Sequence, residues 1–345
     1  MVGIGVIGYG YWGPNLVRNF SEATETQVVG VADLSPQRLA LAQNRNPAVQ
    51  VTSDYRVLLA NPGIDAIAVS TPVSSHFDLA MAALQAGKHV LVEKPMAGSS
   101  AQVLALIEEA ERRKLILMVD HSFVYTGAVN RIGQIIKSGA LGDLLYYDSV
   151  RINLGLFQSD VDVIWDLAVH DFSIMQYLLP ELPCAVAANG IRHVTGGMEN
   201  LAYITAFFER NLIAHINVNW LSPVKMRRTL IGGSKKMVVY DDMEPSEKIK
   251  VYDRGITVTN NTEEMYKMLV NYRCGDMYAP HLDTTEALRT EVRHFANCIM
   301  RGTRPITDGC AGLEVVRILE AATLSMRDRG RLVELPAGRP HATIG

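Results

Sequence analysis

The chain has 345 residues, and its 33 Lys and Arg nearly balance its 36 Asp and Glu, for a formal net charge of −3. That balance argues against a nucleic-acid partner, which needs a basic surface. A composition of 48% hydrophobic and 20% charged residues excludes a disordered or collagen-like chain. At roughly 100–200 residues per domain, the length predicts two domains or three.

The four cysteines, Cys184, Cys274, Cys298 and Cys310, are scattered and form no C-x-x-C, so reduced thiols are expected rather than a disulfide framework, a zinc site or any other metal site. The opening Met1-Val2-Gly3-Ile4 has no basic segment before an apolar run. No stretch approaches about 18 uninterrupted apolar residues, so no membrane partner is expected and a cytoplasmic location is predicted.

In chain order, Ile4–Ile7, Val28–Ala32, Ala66–Val69, His89–Val92 and Leu115–Val119 read as buried strands, because continuous apolar runs suit parallel strands covered on both faces. Helical patterns lie between them, near 12–20, 35–44, 54–60, 75–86 and 99–113. Ser35 and Ser99 supply capping hydroxyls. Strand–helix alternation predicts an α/β domain with a doubly wound parallel sheet over residues 1–120. Helices near 127–138 and 163–179 follow. Extended segments then run near 184–193, 200–208, 212–221, 226–231, 236–240 and 247–259, and two helices near 284–301 and 309–328 end the pattern. This predicts an α+β domain over 121–345 with a large, mostly antiparallel sheet.

Gly8-Tyr9-Gly10-Tyr11-Trp12-Gly13 follows the first strand and opens a helix, and the second strand ends at Asp33, 20 residues beyond Gly13. These are the parts of the dinucleotide-binding Rossmann fingerprint. Gly8 permits the tight turn, Gly10 lets a pyrophosphate approach the backbone, and Gly13 lets the helix pack close to the strand. The N–H groups around Tyr11 and Trp12 would face the phosphates. Asp33 would accept from the ribose hydroxyls and repel a 2′-phosphate, which favours NAD over NADP. Arg38 can either reach a 2′-phosphate or lie against adenine.

Ligands of such sheets lie beyond the carboxyl ends of the strands. Ser70-Thr71-Pro72 and Glu93-Lys94-Pro95 emerge there. On the helix near 163–179, at about 100° per residue, Asp166, His170, Ser173 and Tyr177 fall on one stripe of an otherwise apolar surface. Asp166 and His170 are spaced to touch. Asp171 breaks the apolar face and has no evident partner. These residues fit oxidation of a secondary alcohol: His170 as base, Lys94 as the cation for a developing alkoxide, and Asp166 orienting the imidazole.

With Gly8-x-Gly10-x-x-Gly13, Ser70-Thr71-Pro72 with His76, Glu93-Lys94-Pro95 and Asp166-x-x-x-His170, the chain resembles the Gfo/Idh/MocA oxidoreductase family over essentially its whole length. The resemblance implies that Lys94, Asp166 and His170 line a catalytic cleft and bind substrate. It also implies that Ser70, Thr71, Pro72, His76, Glu93 and Lys94 join the cofactor site, and that the second domain is an open sheet serving substrate binding and homo-oligomerisation, as dimer or tetramer. Where many members carry Gly-Gly before the aspartate, this chain reads Asp160-Val161-Asp162-Val163-Ile164-Trp165.

Tyr272-Arg273-Cys274-Gly275-Asp276, Thr284–Leu288, Glu291, His294-Phe295 and Pro305–Gly309 resemble the branch holding UDP-N-acetylglucosaminuronic acid 3-dehydrogenases. Arg151 and Asn153 share one face of a strand and are expected substrate contacts. Lys225, Arg227 and Arg228 suit either a diphosphate or a solvated sheet edge. The reading is an NAD-dependent dehydrogenase acting on the 3-hydroxyl of a nucleotide-linked sugar such as UDP-N-acetylglucosaminuronic acid, whose anionic sugar the Arg151 cation and Asn153 amide would suit. A dehydrogenase of a free sugar or inositol, an NAD-dependent glycosidase and a non-enzymatic sugar-sensing regulator stand as alternatives.

Overall fold

The computed structural model describes residues 1–155, 161–195, 197–253, 255–257, 271–273 and 275–336. The chain packs into two compact units, Met1–Thr126 with Thr285–Glu320, and Gly127–Thr284 with Ala321–Gly345.

The first unit holds six parallel strands: β1 (Val2–Ile7), β2 (Thr26–Ala32), β3 (Gln50–Thr52), β4 (Ala66–Val69), β5 (His89–Glu93) and β6 (Leu117–Asp120). Their spatial order is β3-β2-β1-β4-β5-β6, so the order reverses between β1 and β4. All residues of β1, β4 and β6 are buried, as strands covered on both faces must be. The connecting helices are α1 (Gly13–Glu22), α2 (Pro36–Arg45), α3 (Arg56–Ala60), α4 (His76–Gln85) and α5 (Ser100–Arg113). Ser35 and Ser99 cap α2 and α5, each accepting from the backbone N–H three residues on. Three-residue β3 was not anticipated, being too short and too polar to stand out by pattern.

The second unit begins with α6 (Gly127–Lys137) and β7 (Leu144–Leu154). A π-helical stretch, Ile164–Ala168, then runs into α7 (Val169–Leu178). The strands β8 (Ala185–Ile191), β9 (Leu201–Phe207), β10 (Ile213–Asn219), β11 (Leu221–Gly233), β12 (Met237–Asp241) and β13 (Ile249–Tyr252) follow. The pair β14 (Gly255–Thr257) and β15 (Asn271–Arg273) forms a separate two-stranded sheet. With β16 (Met277–Tyr278) and β17 (Val333–Glu334), the large sheet runs β16-β13-β12-β11-β7-β10-β9-β8-β17. It is antiparallel except for β7 beside β10. Along β10, Ala214, Ile216 and Val218 are buried while Ile213 is exposed, the alternation of a sheet packed on one face.

The last two helices, α8 (Ala287–Arg301) and α9 (Gly309–Arg327), depart from the expected division at residue 120. The first unit extends to Thr126 and reclaims Thr285–Glu320. Phe295 of α8 meets Phe20 of α1 edge-on, with ring centroids 6.5 Å apart. Thr307 bridges onto β6, accepting at its carbonyl from the Val119 N–H (2.8 Å) and donating its hydroxyl to the Val119 carbonyl (2.8 Å). Asp308 caps α9 through the Ala311 N–H. The Pro305–Gly309 run therefore serves packing and capping in the first unit. Among the described residues, no helix is long and apolar enough to cross a membrane.

Candidate active site

In the first unit, Gly8 has φ +97°, and a Cβ there would lie 2.2 Å from the Ser70 carbonyl oxygen. A Cβ on Gly13 would lie 2.3 Å from the Gly8 carbonyl oxygen. Both positions need glycine, one for backbone conformation and one for close approach. Asp33 is buried and organises the turn: Oδ2 accepts from the Tyr9 N–H (2.7 Å) and Oδ1 from the Ser35 N–H (2.8 Å). Arg38 Nη1 lies 3.6 Å from Asp33 Oδ2, and its guanidinium stands over Gly10. No side chain caps the start of α1; Pro14 has no N–H and the Asn15 N–H bonds the Trp12 carbonyl, so the Trp12 and Gly13 N–H groups are those placed to meet an anion.

Ser70 Oγ is buried without a hydrogen-bond partner at the strand-order reversal beside Gly8. An unmet buried hydroxyl there, with an uncapped helix start and a carboxylate at the end of β2, fits a dinucleotide. Tyr11 is fully exposed, whereas the Trp12 side chain turns inward, its indole N–H donating to Asp120 Oδ2 at 2.9 Å. The Trp12 side chain thus goes to the end of β6.

His76 is buried at the start of α4 and ties two strand-end loops together. Its Nδ1 lies 2.8 Å from the Pro95 carbonyl oxygen and its Nε2 2.8 Å from the Thr71 carbonyl oxygen. A neutral imidazole donates to one of these; a protonated ring donates to both. Thr71 Oγ1 accepts from Ser75, and Pro72 precedes the short 3₁₀ turn leading into α4. Lys94 follows β5, is half-buried, and is joined to Pro95 by a cis peptide. The Glu93 carboxyl accepts from the Lys94 N–H (3.1 Å) and faces Asp120. Burial and the neighbouring Asp120 raise its pKa well above the usual carboxylate range. His121, next to Asp120, is pushed down to about 3 by burial and the Lys94 charge, and is therefore neutral.

In the second unit, Asp166 sits in the π-helical stretch, where Oδ2 accepts from the Trp220 indole N–H at 3.0 Å. His170 is half-buried in the first turn of α7, and its carbonyl accepts from the Ser173 hydroxyl. Tyr177 donates to Asn130 Oδ1 on α6 at 2.9 Å. The predicted polar stripe is thus used piecemeal, because the wider π turn breaks the even angular step and Ser173 bonds its own helix.

Arg151 departs from the expected substrate contact. It is buried to 4% exposure, with Nε 2.6 Å from Asp171 Oδ2 and Nη2 3.3 Å from Oδ1. Ser149 donates to Asp171 Oδ1 at 2.5 Å, which supplies the partner that Asp171 lacked in the sequence reading. Burial works against the Arg151 charge, but Asp171 more than offsets it and holds the guanidinium's pKa above its ordinary value. Asn153 is half-buried near the end of β7. Arg227 pairs with Asp242 at 3.3 Å, while Lys225 and Arg228 are exposed. Asp160, Cys274 and the far end of the predicted 247–259 strand lie outside the described residues.

Trp220, Asp120 and His121 escaped the sequence reading. Asp120-His121 had a usable signal: two polar residues directly after an apolar strand, as with Glu93-Lys94. Trp220 had only the general need of a buried indole for an acceptor.

Residues 2–121 match the family described as the oxidoreductase family with NAD-binding Rossmann fold, and residues 129–239 match the GFO/IDH/MocA C-terminal domain. UDP-N-acetylglucosamine 3-dehydrogenase of Acidithiobacillus ferrooxidans is 27% identical over 332 residues, covering 94% of this chain and 95% of that one. Its solved structure superposes with a TM-score of 0.81 at 26% identity over 95% of this chain and 99% of that chain. The scyllo-inositol 2-dehydrogenase (NAD(+)) of Bacillus subtilis is 24% identical over 355 residues, covering 99% of this chain and 97% of that one. Both sheet domains carry one family's pattern in the same order, and the chain belongs to the Gfo/Idh/MocA family of NAD-binding oxidoreductases.

Proposed function

We propose that this chain is an NAD-dependent dehydrogenase of a sugar, acting on the 3-hydroxyl of a UDP-linked N-acetylated hexose. The observation that carries the reading is the near full-length likeness to UDP-N-acetylglucosamine 3-dehydrogenase in a chain that keeps Lys94, Asp166 and His170. In this reading His170 takes the hydroxyl proton, the hydrogen on the same carbon leaves as hydride, and the carbon–oxygen bond becomes a carbonyl. NAD, when bound, supplies the hydride acceptor. The Lys94 ammonium stabilises negative charge on the reacting oxygen. Asp166, held by Trp220, orients the imidazole and stabilises its protonated form.

Because Arg151 is committed to Asp171, the cation expected to favour the uronic acid is taken, and neutral UDP-N-acetylglucosamine comes first among substrates. A free polyol is the second reading, supported by the likeness to scyllo-inositol 2-dehydrogenase. A homo-oligomer is supported by exposed Tyr203, Phe207 and Ile213 on adjacent β9 and β10. Light scattering in solution tests it.

The experiment for function is a panel of UDP-N-acetylglucosamine, its uronic acid, free hexoses and inositols with NAD, followed by NADH fluorescence. Steady NADH formation with a UDP-sugar and a 3-keto product supports the reading. Turnover of inositol alone moves it to the polyol. Sugar cleavage without net NADH indicates a glycosidase, and binding without turnover a sensor.

A further inference from the structure

Glu93 and Asp120 end the neighbouring parallel strands β5 and β6 and are direct register partners. Strand partners in register project to the same side of a sheet, so their carboxyls meet. Glu291, on α8, brings a third carboxyl to Asp120 from the helix packed over the Ser122–Tyr125 turn. Asp120 and Glu291 are 2% and 0% exposed.

The donors around these groups are few. Asp120 Oδ2 accepts from the Trp12 indole, and Glu93 Oε2 accepts from the Lys94 N–H. Glu93 Oε1 and both oxygens of Glu291 are sealed from solvent without a well-formed hydrogen bond, although the His121 backbone N–H is directed at Glu291. Two ionised carboxylates in contact repel and have no hydrogen to share, whereas a protonated carboxyl donates to an ionised neighbour. With Asp120 in the middle, two outer acids donating to one central carboxylate satisfy the contacts.

We propose that Glu93, Asp120 and Glu291 form a proton-sharing carboxyl cluster with one negative charge centred on Asp120, and that it is a positioning set for Lys94 and, through Trp12, for the cofactor turn. Burial and then Asp120 raise the pKa of both Glu93 and Glu291 well above the usual range, consistent with the geometry. Lys94 works against the protonation of Glu93, but burial and Asp120 outweigh it, and buried His121 is neutral with both ring nitrogens unpartnered. Tyr125 and Cys298, on the Glu291 side, are raised by burial and stay protonated. The cluster therefore fixes the Lys94 backbone, whose N–H donates to Glu93 Oε2. It also links the strand bearing Lys94 to the glycine-rich turn through Glu93, Asp120 and Trp12.

This rests on the cofactor fold and on Lys94, not on the sugar assigned above, and its test needs no turnover. Infrared spectra of the full-length protein should show carbonyl bands of protonated buried carboxyls at neutral pH. One such band should disappear in Glu93→Gln and another in Glu291→Gln. NAD affinity, measured by calorimetry, should weaken in Asp120→Asn, which removes the carboxylate that holds the Trp12 indole beside the glycine-rich turn. The two Gln variants, which replace a neutral group by a neutral group, should change it by much less. Absence of protonated-carboxyl bands, or bands that survive both Gln substitutions, overturns the cluster. Unchanged NAD affinity in folded Asp120→Asn overturns its action on the cofactor turn. If Asp120→Asn does not fold, Trp12→Phe removes the same hydrogen bond from the other side, and unchanged NAD affinity there gives the same contradiction.

Discussion

Each compact unit fixes one carboxylate with an indole N–H: Trp12 donates to Asp120 in the first at 2.9 Å, and Trp220 donates to Asp166 in the second at 3.0 Å. They differ in how they treat the rest of their buried acid. The second unit sets Asp171 against Arg151 and Ser149, so opposite charges and a hydroxyl satisfy one another. In the first unit, acid faces acid, and protons stand where a cation would otherwise be. The Arg151–Asp171 pair is permanent across ordinary pH, since guanidinium stays charged. The Glu93–Asp120–Glu291 group is titratable and lies beside Lys94. One network holds a sheet to its helix; the other can answer to charge near Lys94.

The sharpest separation of chemistry from scaffold lies in turnover. Lys94→Ala in the first unit and His170→Ala in the second should each lower kcat by about 10²–10⁴-fold, the usual range for general acid–base groups, with NAD affinity nearly unchanged. Near wild-type turnover in His170→Ala would remove it as the base. Arg151→Ala should act on stability instead. It leaves Asp171 as an uncompensated buried charge, a loss of about 3–5 kcal/mol in urea unfolding, which the double change Arg151→Met with Asp171→Leu should largely restore. A loss within experimental error would mean that the pair contributes nothing.

Glu291 predicts a smaller effect of opposite sign. Its folded pKa is raised, so above the unfolded glutamate value of about 4.3 the unfolded chain gives up a proton that the folded protein keeps. Wild-type stability from this group therefore falls as pH rises through that value. Glu291→Gln should match wild type in acid and be the more stable of the two at neutral pH. A variant uniformly weaker at all pH values contradicts the neutral state of Glu291. The mildest change concerns cofactor choice: Asp33→Ser should narrow the preference for NAD over NADP. It should also weaken NAD binding modestly, because Asp33 accepts from Tyr9 and Ser35 as well. An unaltered preference would transfer the discrimination to Arg38.

Much of the first unit could be read in the sequence because its determinants are local. The glycine spacing, Asp33 at the end of β2, the serine caps and Lys94 after β5 all lie within short windows of chain. The second sheet was legible as alternation, but its pairings were not, so Arg151 looked like a free cation until Asp171 was seen beneath it. Period counting assumed a regular helix and missed the π turn that carries Asp166. The return of α8 and the first part of α9 to the first unit depends on contacts such as Phe20–Phe295, between residues far apart in the chain, for which no local pattern exists. Glu291 was noted as part of a motif. Its meeting with Asp120 and Glu93 required the fold.

The central claim, hydride removal from carbon 3 of a UDP-linked N-acetylhexose, has a direct measurement. UDP-N-acetylglucosamine carrying deuterium on carbon 3 is incubated with NAD and the enzyme, and the NADH formed is weighed by mass spectrometry. NADH one mass unit heavier and a 3-keto sugar that has lost its label are expected. Unlabelled NADH, or label retained in the sugar while inositol or a free hexose is oxidised, would contradict it.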